Sequence, residues 1–117
     1  ASLRILPSLE IREIASPKEA VEILSSIKEM EGPTSISGSW ENGDDSKGFK
    51  GICVVEDLNG GKVISLTREL CIDDGLRPSL QDLFDREEGV VGHNTKGTMR
   101  EMLAEGLSIN NLVLDIQ

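Results

Sequence analysis

Apolar residues along this chain follow two rhythms. Over residues 8–14 apolar and polar positions exchange one by one, Leu9 and Ile11 on one side and Glu10 and Arg12 on the other, as in a half-buried strand. Residues 17–31 change to helical spacing. Ala20, Ile23, Leu24, Ile27 and Met30 make an apolar stripe, and Glu22, Ser25, Ser26, Lys28 and Glu29 fall outside it. Ser16 stands where its hydroxyl caps such a helix, and Glu19 completes a capping box three residues on. Pro17 takes the first turn, where a missing N–H costs nothing. Gly32-Pro33 stops the helix.

Strand rhythm returns at 34–40, which alternates weakly up to Trp40. The stretch 41–48 holds no apolar residue and is expected to be a mobile, acidic loop. Two apolar runs, 51–58 and 61–67, flank Asn59-Gly60, a pair that tolerates positive φ in a type I′ turn. A two-residue turn there pairs Asp57 with Lys62, Val55 with Ile64 and Cys53 with Leu66. Ile52, Val54 and Val63 then fall on the reverse side, so this hairpin is expected to be central and covered on both faces. Its second arm is expected to continue through Leu70-Cys71-Ile72 to a turn at Asp73-Asp74-Gly75.

Beyond Pro78, Ser79 with Asp82 reads as the cap of a short helix built on Leu80, Leu83 and Phe84 and closed by Gly89. Residues 90–97 read as a short extended piece and a loop. Thr98 with Glu101 reads as another capping box, for a helix that Gly106 ends. The last strand covers 111–116, and the adjacent Leu112, Val113 and Leu114 predict a place inside the sheet. The order β-α-β-β-β-α-α-β gives a single α+β domain over 1–117. Its expected form is a mostly antiparallel sheet of about five strands with two or three helices packed on it, with a ferredoxin-like split βαβ arrangement as the candidate topology.

Composition narrows the partners. The 117 residues suit one domain with its own core, and 38% hydrophobic with 28% charged residues is ordinary for a globular chain. No apolar run approaches the roughly 18 residues of a membrane span. Twelve Lys and Arg against 21 Asp and Glu leave a net charge of −9. Such a chain lacks the basic footprint that displaces counterions from phosphates. Its only aromatics are Trp40, Phe49 and Phe84, too few for a base-stacking platform. Direct nucleic-acid binding and membrane docking are therefore not expected. The acidity serves either solubility or a basic protein partner. Cys53 and Cys71, each within an apolar stretch, are expected as free buried thiols. With no basic-then-apolar leader expected in this sequence, they point to a reducing, cytoplasmic setting, with a mature secreted or organellar form as the alternative.

Candidate chemistry gathers at Gly92-His93-Asn94-Thr95-Lys96-Gly97-Thr98, which has the two-glycine spacing of a phosphate loop and meets a helix start. A nucleotide loop needs its lysine directly after the second glycine, whereas Lys96 precedes Gly97. The remaining functional reading is a small-anion or carboxylate site using His93, Lys96, Gly97 and Thr98, set against a plain capped helix start. His93 is the only histidine. Nucleophilic catalysis would have to pair it with Cys53 or Cys71, or with a serine and an aspartate, and neither cysteine sits in a catalytic signature. The carboxylate groups Glu41/Asp44/Asp45, Asp73/Asp74 and Glu87/Glu88 lack calcium-loop spacing, and two cysteines with one histidine lack zinc spacing. No catalytic residue, metal or cofactor is expected.

The leading expectation is a non-catalytic protein-interaction or regulatory domain acting through an apolar and acidic surface. Its contact elements would be the hairpin, the acidic residues Asp82, Asp85, Glu87 and Glu88, and Trp40 with Phe49 as aromatic anchors beside the loop. The partner would be a protein, basic or a second copy of the chain. Two alternatives remain: a small-ligand module or small enzyme centred on His93, Lys96 and Thr98, and an acidic inhibitor or immunity-type protein that caps a basic partner.

Overall fold

The first helix forms where its local signals stand. A computed structural model describes residues 10–41, 48–57, 60–93 and 95–116. In it, helix α1 spans Pro17–Lys28, and the Glu19 N–H donates to Ser16 Oγ at 3.3 Å. Ala20, Leu24 and Ile27 form its buried stripe, while Met30 lies past the last turn and is exposed. The six strands are β1 (Glu10–Ile14), β2 (Thr34–Trp40), β3 (Phe49–Asp57), β4 (Lys62–Thr67), β5 (Val90–His93) and β6 (Leu112–Ile116). Three further helices are α2 (Arg68–Cys71), α3 (Arg77–Phe84) and α4 (Lys96–Ala104). The loop expected at 41–48 lies, for 42–47, outside the described residues.

The strands join one sheet in the order β1-β4-β3-β2-β5-β6. Only β3 runs antiparallel to its neighbours; β1 with β4, β2 with β5, and β5 with β6 are parallel pairs. The fold is thus α+β with a mixed sheet and four helices, not a mostly antiparallel sheet. The difference has a physical source: α4 carries the chain back from β5 to β6, and such a helical crossover lays the second strand parallel to the first. A ferredoxin-like arrangement does not emerge from this order.

The central hairpin departs from simple alternation by one residue. Asp57 faces Lys62, as expected, while Leu58 and Asn59 of the expected turn lie outside the described residues; the register then shifts, so that Val55 faces Val63, Cys53 faces Ser65 and Ile52 faces Leu66. The shift leaves Glu56 as an extra residue in β3, a β-bulge. It replaces the expected pairing of Val55 with Ile64 and of Cys53 with Leu66. Its effect is to collect Ile52, Val54, Ile64 and Leu66 on one face, all four completely buried, with Cys53, Val55, Val63 and Ser65 half-exposed on the other.

The covered face carries the core. Ile14, Ile36 and Val90 join the four hairpin aliphatics. Leu24 and Ile27 of α1, Cys71 of α2, Leu80, Leu83 and Phe84 of α3, and Met102 of α4 pack onto them. In β1 the buried residue is therefore Ile14, beside Leu66, whereas Ile11 is 61% exposed on the opposite side. Helix α2 stands where β4 was expected to continue. The Leu70 N–H donates to Thr67 Oγ1 at 3.2 Å, ending the strand and turning Cys71 into the core.

Helix starts also moved. Asp73 Oδ2 accepts from the N–H groups of Gly75 and Leu76, so α3 begins at Arg77, ahead of Ser79, and it ends at Phe84, well before Gly89. Helix α4 begins at Lys96, which places Thr98 inside it rather than at its cap. Finally, among the described strands β6 lies at the edge of the sheet and not in its interior.

Candidate functional site

The predicted phosphate-loop residues are dispersed by the fold. His93 ends β5 and is exposed, and Lys96 is exposed in the first turn of α4, whereas Gly97 and Thr98 are buried. Gly92, Thr95 and Thr98 have a packing explanation. A Cβ on Gly38 of β2 would lie 2.1 Å from Thr98 Oγ1 and 2.6 Å from Trp40 Nε1, and one on Gly92 would lie 2.0 Å from Thr95 Cγ2. Bare glycine backbone on two adjacent strands thus lets the start of α4 lie directly on the sheet. The helix start also already holds a carboxylate, because the Thr95 N–H donates to Asp115 Oδ1 of β6 at 3.2 Å. That contact supplies from within the chain the negative charge that free N–H groups at a helix start attract. The buried hydroxyls of Thr95 and Thr98 have no hydrogen-bond partner.

Trp40 and Phe49 meet edge-to-face, with ring centroids 5.0 Å apart, and Phe49 packs against the core. Both are half-buried, and the indole lies over Gly38 on the helix side. Of the acidic residues around α3, Asp82 pairs with Lys28 at 3.6 Å and Asp85 Oδ1 accepts from Gln81 and Asn110. Glu88 lies 3.4 Å from Arg86, and Glu87 is exposed.

Arg86 is the residue that sequence reasoning missed. Its side chain is 5% exposed and donates to Thr34 Oγ1 and to the carbonyl of Met30, near the end of α1. It lines a cleft of about 110 Å³ with Ile27 and Met30, while Met99, Leu103 and Ile109 line another of about 230 Å³. Both are smaller than the roughly 300–1,000 Å³ of ordinary small-molecule sites.

Neither thiol is activated. Burial pushes the Cys53 thiol up, only partly offset by a hydrogen bond with Ser65. Cys71 is pushed from 9.0 to about 12, first by burial, with Glu69 adding to the rise and a backbone contact at Ile52 opposing it. Cys53 and His93 do share a face, but Ser37 of β2 stands between them in the register, which sets them roughly 9–10 Å apart across the strands. Among the described residues no group of three or more His, Cys, Asp or Glu is gathered for a metal, and no helix is long and apolar enough to cross a membrane.

The helix-free face is the larger organised surface. One row crosses all six strands, as Glu13, Ser65, Cys53, Ser37, His93 and Ile116. The adjoining row is mainly apolar: Ile11, Val63 and Val55 at one end, and Ser35, Val91 and Leu114 at the other. The buried residues of the four described helices pack on the opposite face. The helix-free face ends at β6, where Val113, Leu114 and Ile116 are 53%, 55% and 42% exposed and make up three of the six exposed large hydrophobics among the described residues. A row of this kind is visible only once five strand pairings are known, although Leu112-Val113-Leu114 was a local signal for β6. In comparisons with known proteins, no family model, no curated protein and no solved structure matches this chain.

Proposed function

We propose that this chain is a non-catalytic protein-interaction domain whose contact surface is the β6 edge of the sheet with the adjoining helix-free face. The observation that carries the reading is the exposure of Val113, Leu114 and Ile116 on a strand that no other described strand pairs on its outer side. Unpaired edges bind extended chain, and clustered apolar side chains on them favour protein contact. The partner is a protein that offers a strand of its own, with backbone hydrogen bonds giving affinity and the apolar row giving selectivity. Acidic residues around α3 contribute at the rim.

The small-anion alternative draws less support, since Asp115 already occupies the start of α4. The acidic-cap alternative also draws less, since Asp82 and Glu88 are paired within the chain. The test is capture by the immobilised domain, wild type against Leu114→Lys and Ile116→Lys, at low and high salt. Bound proteins, further copies of the chain included, should persist at high salt and be lost with either variant. Identical capture by all three refutes the reading.

A further inference from the structure

We infer that the strand received by β6 is the β6 of a second copy, laid antiparallel across a two-fold axis so that two sheets become one. This rests on the interaction reading above and names its partner. Three observations carry it.

The first is a mismatch between composition and place. Leu112-Val113-Leu114-Asp115-Ile116 has the make-up of an interior strand, yet it is paired on one side only. Its single charge, Asp115, is bound to the Thr95 N–H and does not guard the edge. The second is the contrast with the other edge. There β1 reads Glu10-Ile11-Arg12-Glu13-Ile14, with Arg12 ion-paired to Glu56 at 3.4 Å, the charged protection expected of an edge that must stay unpaired. Both outer edges lack a partner among the described strands, but three of the five residues of β1 are charged against one of five in β6.

The third observation is charge polarity along β6. Its beginning is tied to the segment 85–87: the Asn110 side-chain amide donates to the Asp85 carboxylate, and that of Asn111 donates to the backbone carbonyls of Arg86 and Glu87, whose own carboxylate is exposed. Its end lies beside His93, and Lys96 directly follows Thr95, whose N–H is held by Asp115. A two-fold axis necessarily sets the beginning of one β6 beside the end of the other, so Asp85 and Glu87 of each copy approach Lys96 of its partner. A parallel pairing would instead face acid with acid. Leu114 and Ile116 of both copies then share the helix-free face, where each loses part of the water it now meets, on the flank toward the partner strand.

The test is solution mass by light scattering from about 1 µM to about 1 mM, at low salt and in 1 M NaCl, with amide exchange measured over 112–116. Wild type should reach twice the mass of one chain, keep it in high salt, and slow exchange across β6 as concentration rises. Leu114→Lys should stay at single mass, whereas Ile11→Lys on the opposite edge should dimerise like wild type. Lys96→Glu should weaken the dimer several-fold, and adding Glu87→Lys in the same chain should restore it. If Leu114→Lys fails to fold, exchange in the wild type still decides the matter. Single mass at every concentration with fast β6 exchange overturns the inference, as does a dimer that survives Leu114→Lys. A monomer that still captures another protein through β6 removes the second copy and keeps the interaction reading. A monomer without any β6-dependent capture removes both.

Discussion

The two faces of the β3–β4 hairpin are made from the same short stretch of chain and have opposite fates. Ile52, Val54, Ile64 and Leu66 meet four helices and lose all contact with water, whereas Cys53, Val55, Val63 and Ser65 keep part of theirs. Both sets are largely apolar, so side-chain type did not choose between them. The bulge at Glu56 did, by setting which residues face the helices. Burial in this fold is a property of register as much as of composition.

Substitutions can break that comparison. Ile64→Ala should cost about 2–5 kcal/mol in urea unfolding, since it removes buried methylenes and leaves a cavity, while Val63→Ala on the other face should cost about 1 kcal/mol or less. Equal losses would mean that the helix-free face is covered in the isolated protein. The thiols give a second contrast, with a defined pH window. Cys71 stays protonated in the native protein up to about pH 12 but ionises above 9.0 once unfolded. Its contribution is therefore intact below pH 9 and declines as pH rises toward 12, by about 1.4 kcal/mol per unit. Unfolding of wild type against Cys71→Ala between pH 9 and 10.5 should show the steeper slope in wild type.

A smaller effect tests the fit of α4. Gly38→Ala should cost about 1–3 kcal/mol, because its methyl would overlap Thr98 Oγ1 and Trp40 Nε1, and Ser37→Ala next to it, on the helix-free side, should cost under about 0.5 kcal/mol. The smallest effect is kinetic. With iodoacetamide on the folded protein, followed by intact mass, Cys53 should be modified before Cys71, and both more slowly than an unburied thiol. Simultaneous modification would show that Cys71 is reached by opening of the core.

What was legible in the sequence was local. The Ser16–Glu19 box and the stripe on α1 lie within a few residues of each other, and the turn alone set Asp57 opposite Lys62. The bulge was hidden because 52–55 is apolar at every position, leaving no alternation to reveal the face. Thr67 is the last residue of β4, as the strand pattern predicts, but its capping of α2 is not legible because it depends on where β4 stops. Thr98 has the spacing of a cap, but Gly38, remote in sequence, and Gly92 let the helix start three residues earlier, with Thr95 at the cap and Thr98 against the sheet. Of the candidate site, His93 could be named in advance, as could Leu112-Val113-Leu114 as a strand. Their shared face could not, because it is assembled from β5 and β6 meeting across a crossover. Arg86 looked like one more surface charge until the end of α1 and Thr34 of β2 closed around it.

The additional residue in β3 also gives this arm slack in one direction only. If one residue were deleted between Gly51 and Asp57, the kink at Glu56 could straighten, keeping Asp57 opposite Lys62 and Ile52 opposite Leu66. An inserted residue has no such reserve, and would turn part of the arm over so that its aliphatics faced outward. The hairpin is therefore built to forgive shortening and not lengthening.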